Sequence, residues 1–199
     1  MKNKYALTIV FAASLGILFV ITNTVFFNEE ENPIISGLGL FKYFTLQSNL
    51  IVAIYFSMYL RGNYKENLLF NRLLGGVVVY ISITFIVFLT LLEPIYSPKG
   101  FALVGSIFNH YVTPILVMGF LYKFRNDYSF KYSDTKVWIS YPLIYLAFLL
   151  VNGLITNDYL YPFFNVNKIG VIGSILSVVV ITIMFVLMSF SLVKIVSKK

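Results

Sequence analysis

The sequence predicts an all-α polytopic membrane protein with six transmembrane helices, on three observations. The 199 residues are 59% hydrophobic and only 12% charged, with a mean hydropathy of +0.85. A water-soluble chain of this size does not carry that balance on its surface. The apolar residues fall into six runs, each near the length of about 20 residues that a helix needs to cross hydrocarbon. Short polar or Gly/Pro-containing connections separate the runs, leaving no room for a soluble domain, so 1–199 reads as a single transmembrane domain.

In chain order, the first span covers about residues 5–26. Met1-Lys2-Asn3-Lys4 before an apolar run imitates a signal peptide, but the run is longer than such a region and meets Glu29-Glu30-Glu31. It is therefore expected to remain as an uncleaved first span. The second span covers about 39–60 and ends at Arg61-Gly62-Asn63. The third covers about 70–92, closed by Glu93-Pro94. The fourth covers about 103–122 and precedes the longest polar connection, Lys123 to Lys136. The fifth covers about 137–154 and the sixth about 169–194. The connection from Thr156 to Asn165 carries Tyr159, Tyr161, Phe163 and Phe164, which suits either an aromatic belt at the membrane interface or a lid over a lipid-facing cavity.

Six spans put both termini on one side. With the N-terminus cytoplasmic, only Lys42, Lys99 and Lys168 of the 15 Lys and Arg lie outside, so the positive-inside rule specifies cytoplasmic N- and C-termini in a cell membrane. The net charge of +7 does not signal nucleic acid, because the basic residues cluster at span ends and form no stripe with interleaved aromatics. The absence of cysteine excludes disulfides, thiolate nucleophiles and thiolate metal sites. A single histidine does not make a zinc or haem centre, so no metal and no cofactor are expected. No repeat or heptad run appears.

The chemistry concentrates in two places. Phe41 to Leu50 writes Thr45, Gln47, Ser48 and Asn49 into the second span, with Thr45, Ser48 and Asn49 at i, i+3, i+4 on one helical face. The only histidine, His110, lies in the fourth span beside Asn109. Both spans run from outside to inside, with Thr45 about six residues and His110 about seven residues into them, so each lies about 9–10 Å from the outer helix end. The two side chains should meet at one membrane level. A neutral imidazole there can take the threonine proton and later return it to a leaving group. Lys42, Gln47, Ser48, Asn49 and Asn109 are suitable for binding substrate or supporting an oxyanion. Each residue also has a structural reading. Thr45 can bond back to the carbonyl of Phe41, and His110 can bond across helices to Tyr43 or Ser48. Lys42 can snorkel to headgroups or bind a substrate carboxylate. Pro114 should kink the fourth span.

Phe41-Lys42-Tyr43-Phe44-Thr45-Leu46 resembles the Trp-Lys-Tyr-Leu-Thr-Phe type of motif in the androgen-induced-gene family of membrane hydrolases. His110 with Pro114-Ile115-Leu116 is similar to that family's histidine segment, with Tyr111 where the family has a polar residue. The resemblance implies cleavage of fatty acid esters of hydroxy fatty acids, with Thr45 as nucleophile and His110 as base. Over most of its length the chain also resembles the bacterial Pr6Pr family of six-span proteins, through Tyr43-Phe44-Thr45 with Ser48-Asn49, His110 with Pro114-Ile115-Leu116, and Tyr161-Pro162-Phe163. The expectation is a lipid ester hydrolase acting on a membrane lipid or fatty-acid-like ligand. The alternatives are a lipid- or solute-binding protein or small transporter using the same cluster, and a polar cluster that serves packing alone. The oligomeric state is not read from the sequence.

Overall fold

The computed structural model describes residues 1–27, 32–62 and 67–196, so residues 28–31, with Glu29 to Glu31, residues 63–66 and the last three residues lie outside the described residues. Among the described residues every regular element is helical: α1 (Lys2–Phe27), α2 (Pro33–Gly39), α3 (Phe44–Arg61), α4 (Leu68–Val87), α5 (Gly100–Ile107), α6 (Thr113–Phe124), α7 (Thr135–Thr156) and α8 (Val166–Val196), joined by short 3-10 and π turns. Among the described residues five continuous helical stretches are long and apolar enough to cross a membrane: Lys2–Phe27, Leu68–Ile95, Gly100–Asp127, Tyr132–Thr156 and Val166–Val196. This is the architecture of a helical membrane protein.

The expected second span, 39–60, is not among those five, because it is not one continuous helix. The helix breaks at Tyr43, whose backbone is extended (φ −85°, ψ 134°). Before it lie α2 and a 3-10 turn, Leu40–Lys42; after it α3 begins at Phe44. Pro33 at the start of α2, capped by Asn32 Oδ1 accepting from the Ile35 N–H at 3.2 Å, makes this entry a separate short helix. The far end of α3 closes at Gly62 in the left-handed region (φ 84°), where a glycine bears no steric cost.

The chain divides into two compact units, Met1–Tyr128 and Ser129–Lys199. In the first, α1 is the central post, packed against α2, α3, α5 and α6. Its small residues let neighbours approach. A Cβ on Gly105 of α5 would meet the Val20 backbone nitrogen at 3.0 Å and the Gly16 carbonyl at 3.1 Å. At the start of α1 the Lys2 ammonium donates to Asp127 Oδ2 at 3.0 Å and lies 4.6–5.9 Å from the ring centroids of Tyr128, Phe124, Tyr59 and Phe120.

Two π turns interrupt the helices of this unit, Phe88–Leu92 after α4 and Phe108–Val112 between α5 and α6. In each the following N–H reaches back five residues, Glu93 to Phe88 and Thr113 to Phe108. Each turn ends two residues before a proline, Pro94 or Pro114. A proline has no N–H for the carbonyl four residues back and its ring collides with that carbonyl, so a widened turn upstream relieves both problems. Ahead of Pro114, where the sequence leads one to expect a kink, lies a π turn that contains His110. Pro142 within α7 produces no π turn, so proline permits this geometry without compelling it.

In the second unit, Asp134 Oδ2 accepts from the Lys131 N–H at 2.8 Å ahead of α7, and α7 ends at Asn157 in the left-handed region (φ 57°). The connection to α8 is tied down within its own unit. Asn152 Nδ2 donates to the Asp158 carbonyl at 2.8 Å, and Tyr161 and Phe164 are buried. Ser174 Oγ donates to the Phe164 carbonyl at 3.0 Å. Gly170 (φ 72°) breaks α8 one turn after its start.

Candidate active site

The break at Tyr43 sets the position of Thr45. In place of a residue six deep in a continuous span, Thr45 is the second residue of α3, in the first turn, where the helix supplies no acceptor for its own N–H groups. The depth argument therefore fails in its detail, because the two residues do not lie equally far along matched helices. The meeting it predicts is nonetheless observed: Thr45 Oγ1 is 3.3 Å from His110 Nε2. Thr45 is half-buried and His110 buried.

The other ring nitrogen fixes the chemistry. His110 Nδ1 lies 3.0 Å from the Ser106 carbonyl and 3.1 Å from Ser106 Oγ. A carbonyl oxygen only accepts, so Nδ1 carries the proton and Nε2 turns its lone pair toward the threonine hydroxyl. The tautomer is thus inferred from the hydrogen-bond network. The imidazole is also sandwiched from one face: the Phe88 ring stacks on it with centroids 3.7 Å apart and planes 10° from parallel.

The polar residues around Thr45 hold backbone. Asn49 Nδ2 donates to the Thr45 carbonyl at 2.9 Å and to the Asn109 carbonyl at 3.1 Å, tying the first turn of α3 to the π turn of His110. The Ser48 hydroxyl lies 3.0 Å from the Thr45 carbonyl and 2.9 Å from the Thr84 hydroxyl, which itself donates to the Tyr80 carbonyl at 3.0 Å. Gln47 Nε2 donates to the Phe41 carbonyl at 2.7 Å, so that carbonyl is bonded by Gln47 and Thr45 is turned to the histidine. Asn109 is buried, with its side-chain oxygen over Gly16. The Lys42 ammonium lies 5.7 Å from the Tyr43 ring centroid.

Of the seven residues the sequence marks, Thr45, Ser48, Asn49, His110 and the Asn109 carbonyl form one connected set, whereas Gln47 and Lys42 stand at its edge. Ser106, Thr84 and Phe88 belong to the site and carry no sequence signal by residue type. Their spacing is the available clue: Ser106 is one turn before His110, and Phe88 is one turn after Thr84, so α4 presents Thr84 to α3 and Phe88 to the imidazole. No group of three or more His, Cys, Asp or Glu able to hold a metal occurs among the described residues.

Fold and site together define a helical membrane protein in which a half-buried threonine meets a buried, oriented histidine. Comparison with protein-family models, with curated proteins and with solved structures found no match to the chain.

Proposed function

We propose that the chain is a six-span membrane hydrolase of fatty acyl esters, with Thr45 as nucleophile and His110 as general base and then acid. The observation that carries this reading is the Thr45 Oγ1 to His110 Nε2 contact, with Nδ1 anchored on a carbonyl. A threonine hydroxyl is a weak nucleophile unless a base takes its proton, and a third group that orients the base completes a triad logic in which the Ser106 carbonyl orients the ring.

In the reaction, Thr45 Oγ1 bonds to the acyl carbonyl carbon while its proton passes to Nε2. The tetrahedral oxyanion forms at the first turn of α3, where the Thr45 N–H and the positive end of the helix dipole favour negative charge. Collapse breaks the bond to the alcohol, which leaves with the proton from Nε2. Water, deprotonated by the same nitrogen, then releases the fatty acid and restores Thr45. Asn49 and Ser48 support this chemistry by fixing the backbone of the nucleophile. In this reading α2 and α3 together make the second of six passages, both termini face the cytoplasm, and the ester enters from the bilayer.

The test is labelling of the detergent-purified protein by a lipophilic fluorophosphonate, with Thr45→Ala and His110→Ala compared at equal folding. Loss of a wild-type signal in both variants is expected; labelling that persists in both refutes the assignment. One observation favours a second reading, a cluster that serves packing alone: the donors of Ser48, Asn49 and Gln47 lie on backbone carbonyls. On that reading Thr45→Val changes stability and nothing else.

A further inference from the structure

The Phe88–His110 stack is close and nearly parallel, its planes 10° apart, among the many aromatic contacts of the first unit. Most of these meet edge-on or tilted, and the flat Tyr55–Phe70 pair has its centroids 4.4 Å apart against 3.7 Å here. Phe88 is buried and is itself gripped from two sides, meeting Tyr96 edge-on at 6.2 Å and Tyr111 edge-on at 5.8 Å. It opens its own π turn, with its N–H on the Thr84 carbonyl, one helical turn beyond the Thr84 hydroxyl that meets Ser48. Two interrupted helices therefore bring one ring face to one imidazole.

We propose that Phe88 is the positioning residue of the Thr45–His110 pair, holding the imidazole plane and stabilising the imidazolium formed as Thr45 gives up its proton. This rests on the hydrolase reading for its kinetic consequence, though not for its structural one. A hydrogen bond at each nitrogen restrains the ring at its edges, and the phenyl face blocks rotation out of the plane that contains both bonds. An aromatic face also attracts a desolvated cation lying over it, and no cation exists until proton transfer. Its contribution therefore falls on the rate of the chemical step and not on ground-state binding. Thr45, Ser106 and Phe88 face the imidazole from α3, α5 and the π turn after α4; Tyr111, its chain neighbour, and Tyr96 meet Phe88 edge-on.

Because His110 is the only histidine, ¹⁵N-histidine labelling reports its two ring nitrogens without assignment ambiguity. Wild type and Phe88→Tyr should show one neutral tautomer with the proton on Nδ1 and ring protons shifted upfield by the stacked face. Phe88→Leu, which keeps bulk but no aromatic face, should lose the upfield shift and show averaged nitrogen signals from a mixture of tautomers. In fluorophosphonate kinetics its saturating labelling rate should fall roughly 10- to 30-fold, the size of a desolvated cation–π contact, with half-saturation changed by less than about twofold. Far-UV circular dichroism and monodispersity establish folding, and Phe88→Met supplies the same comparison should Phe88→Leu not fold. Unchanged nitrogen and ring-proton signals in folded Phe88→Leu or Phe88→Met overturn the proposal. Wild type that carries the single tautomer but takes no label refutes the hydrolase reading and leaves the positioning role to be decided by the resonances.

Discussion

Gly105→Ala puts the close approach of α1 and α5 to a direct test. A methyl group on Gly105 would meet Val20 Cγ2 at 2.5 Å, the Val20 nitrogen at 3.0 Å and the Gly16 carbonyl at 3.1 Å. A valine methyl can rotate aside, but the two backbone atoms belong to the interior of α1 and cannot. The helices must separate by some tenths of an ångström along a contact that fixes the first unit. Overpacking of this kind costs about 1–3 kcal/mol, against a gain of up to about 1 kcal/mol from replacing a helical glycine with alanine. The expected net effect is a loss of up to roughly 2 kcal/mol. Gly39→Ala, where nothing lies within 4 Å of the added carbon, is the control and should not lose stability. Equilibrium unfolding in mixed micelles titrated with a denaturing detergent measures both. Because Gly105 precedes Ser106, whose carbonyl holds His110, fluorophosphonate labelling of Gly105→Ala should fall further than its stability does. If Gly105→Ala gains stability, as an unhindered helical glycine replaced by alanine does, the α1–α5 approach is wrong, and with it the seat of the Ser106 carbonyl.

Three further outcomes follow from the hydrogen-bond network. Ser106→Ala keeps the carbonyl that orients Nδ1 and removes only a hydroxyl contact, so the histidine nitrogen signals should retain the wild-type tautomer and labelling should fall less than about tenfold. Asn49→Leu strips the donors from the Thr45 and Asn109 carbonyls and should cost about 1–3 kcal/mol in the same unfolding assay, with labelling reduced because the Thr45 turn loses its tie to the His110 turn. Lys2→Met should lower thermal stability by about 0.5–1 kcal/mol. Asp127→Asn should lower it less, because the carboxylate is 58% exposed and screened while the ammonium still lies among four rings.

The parts of the fold legible in the sequence were those set by hydrophobic length. The runs at 5–26, 70–92, 103–122, 137–154 and 169–194 each fall within an apolar helical stretch, because hydrocarbon thickness dictates how long such a helix must be. The residues that meet were legible too, since an imidazole and a run of hydroxyl and amide side chains in apolar surroundings have few partners besides each other. What could not be read was the break before Thr45. Tyr43 is neither glycine nor proline, and Leu40-Phe41-Lys42-Tyr43-Phe44 has no composition that forbids a helix. The extended backbone at Tyr43 is a choice made by tertiary packing among conformations that local propensity leaves nearly equal in energy.

The π turns show why the remainder of the site also escaped a reading by residue type. A helix that keeps its α register turns about 100° per residue, and one widened turn shifts every later side chain around the axis. Projecting the segment from Gly100 to Phe124 as one α-helix therefore misplaces His110 relative to Ser106, and projecting Leu68 to Leu92 likewise misplaces what lies beyond Phe88. Pro94 and Pro114 were visible, and each sits just past a π turn, but Pro142 ends no such turn, so the proline alone does not announce it. What the two interrupted helices share is the stacked pair itself: Phe88 opens one π turn and His110 lies within the other. An α register is given up at both partners of one contact, at a cost in regular backbone hydrogen bonding. The two departures together hold the imidazole opposite Thr45, which is the reason to test first a chemical step that this histidine can carry.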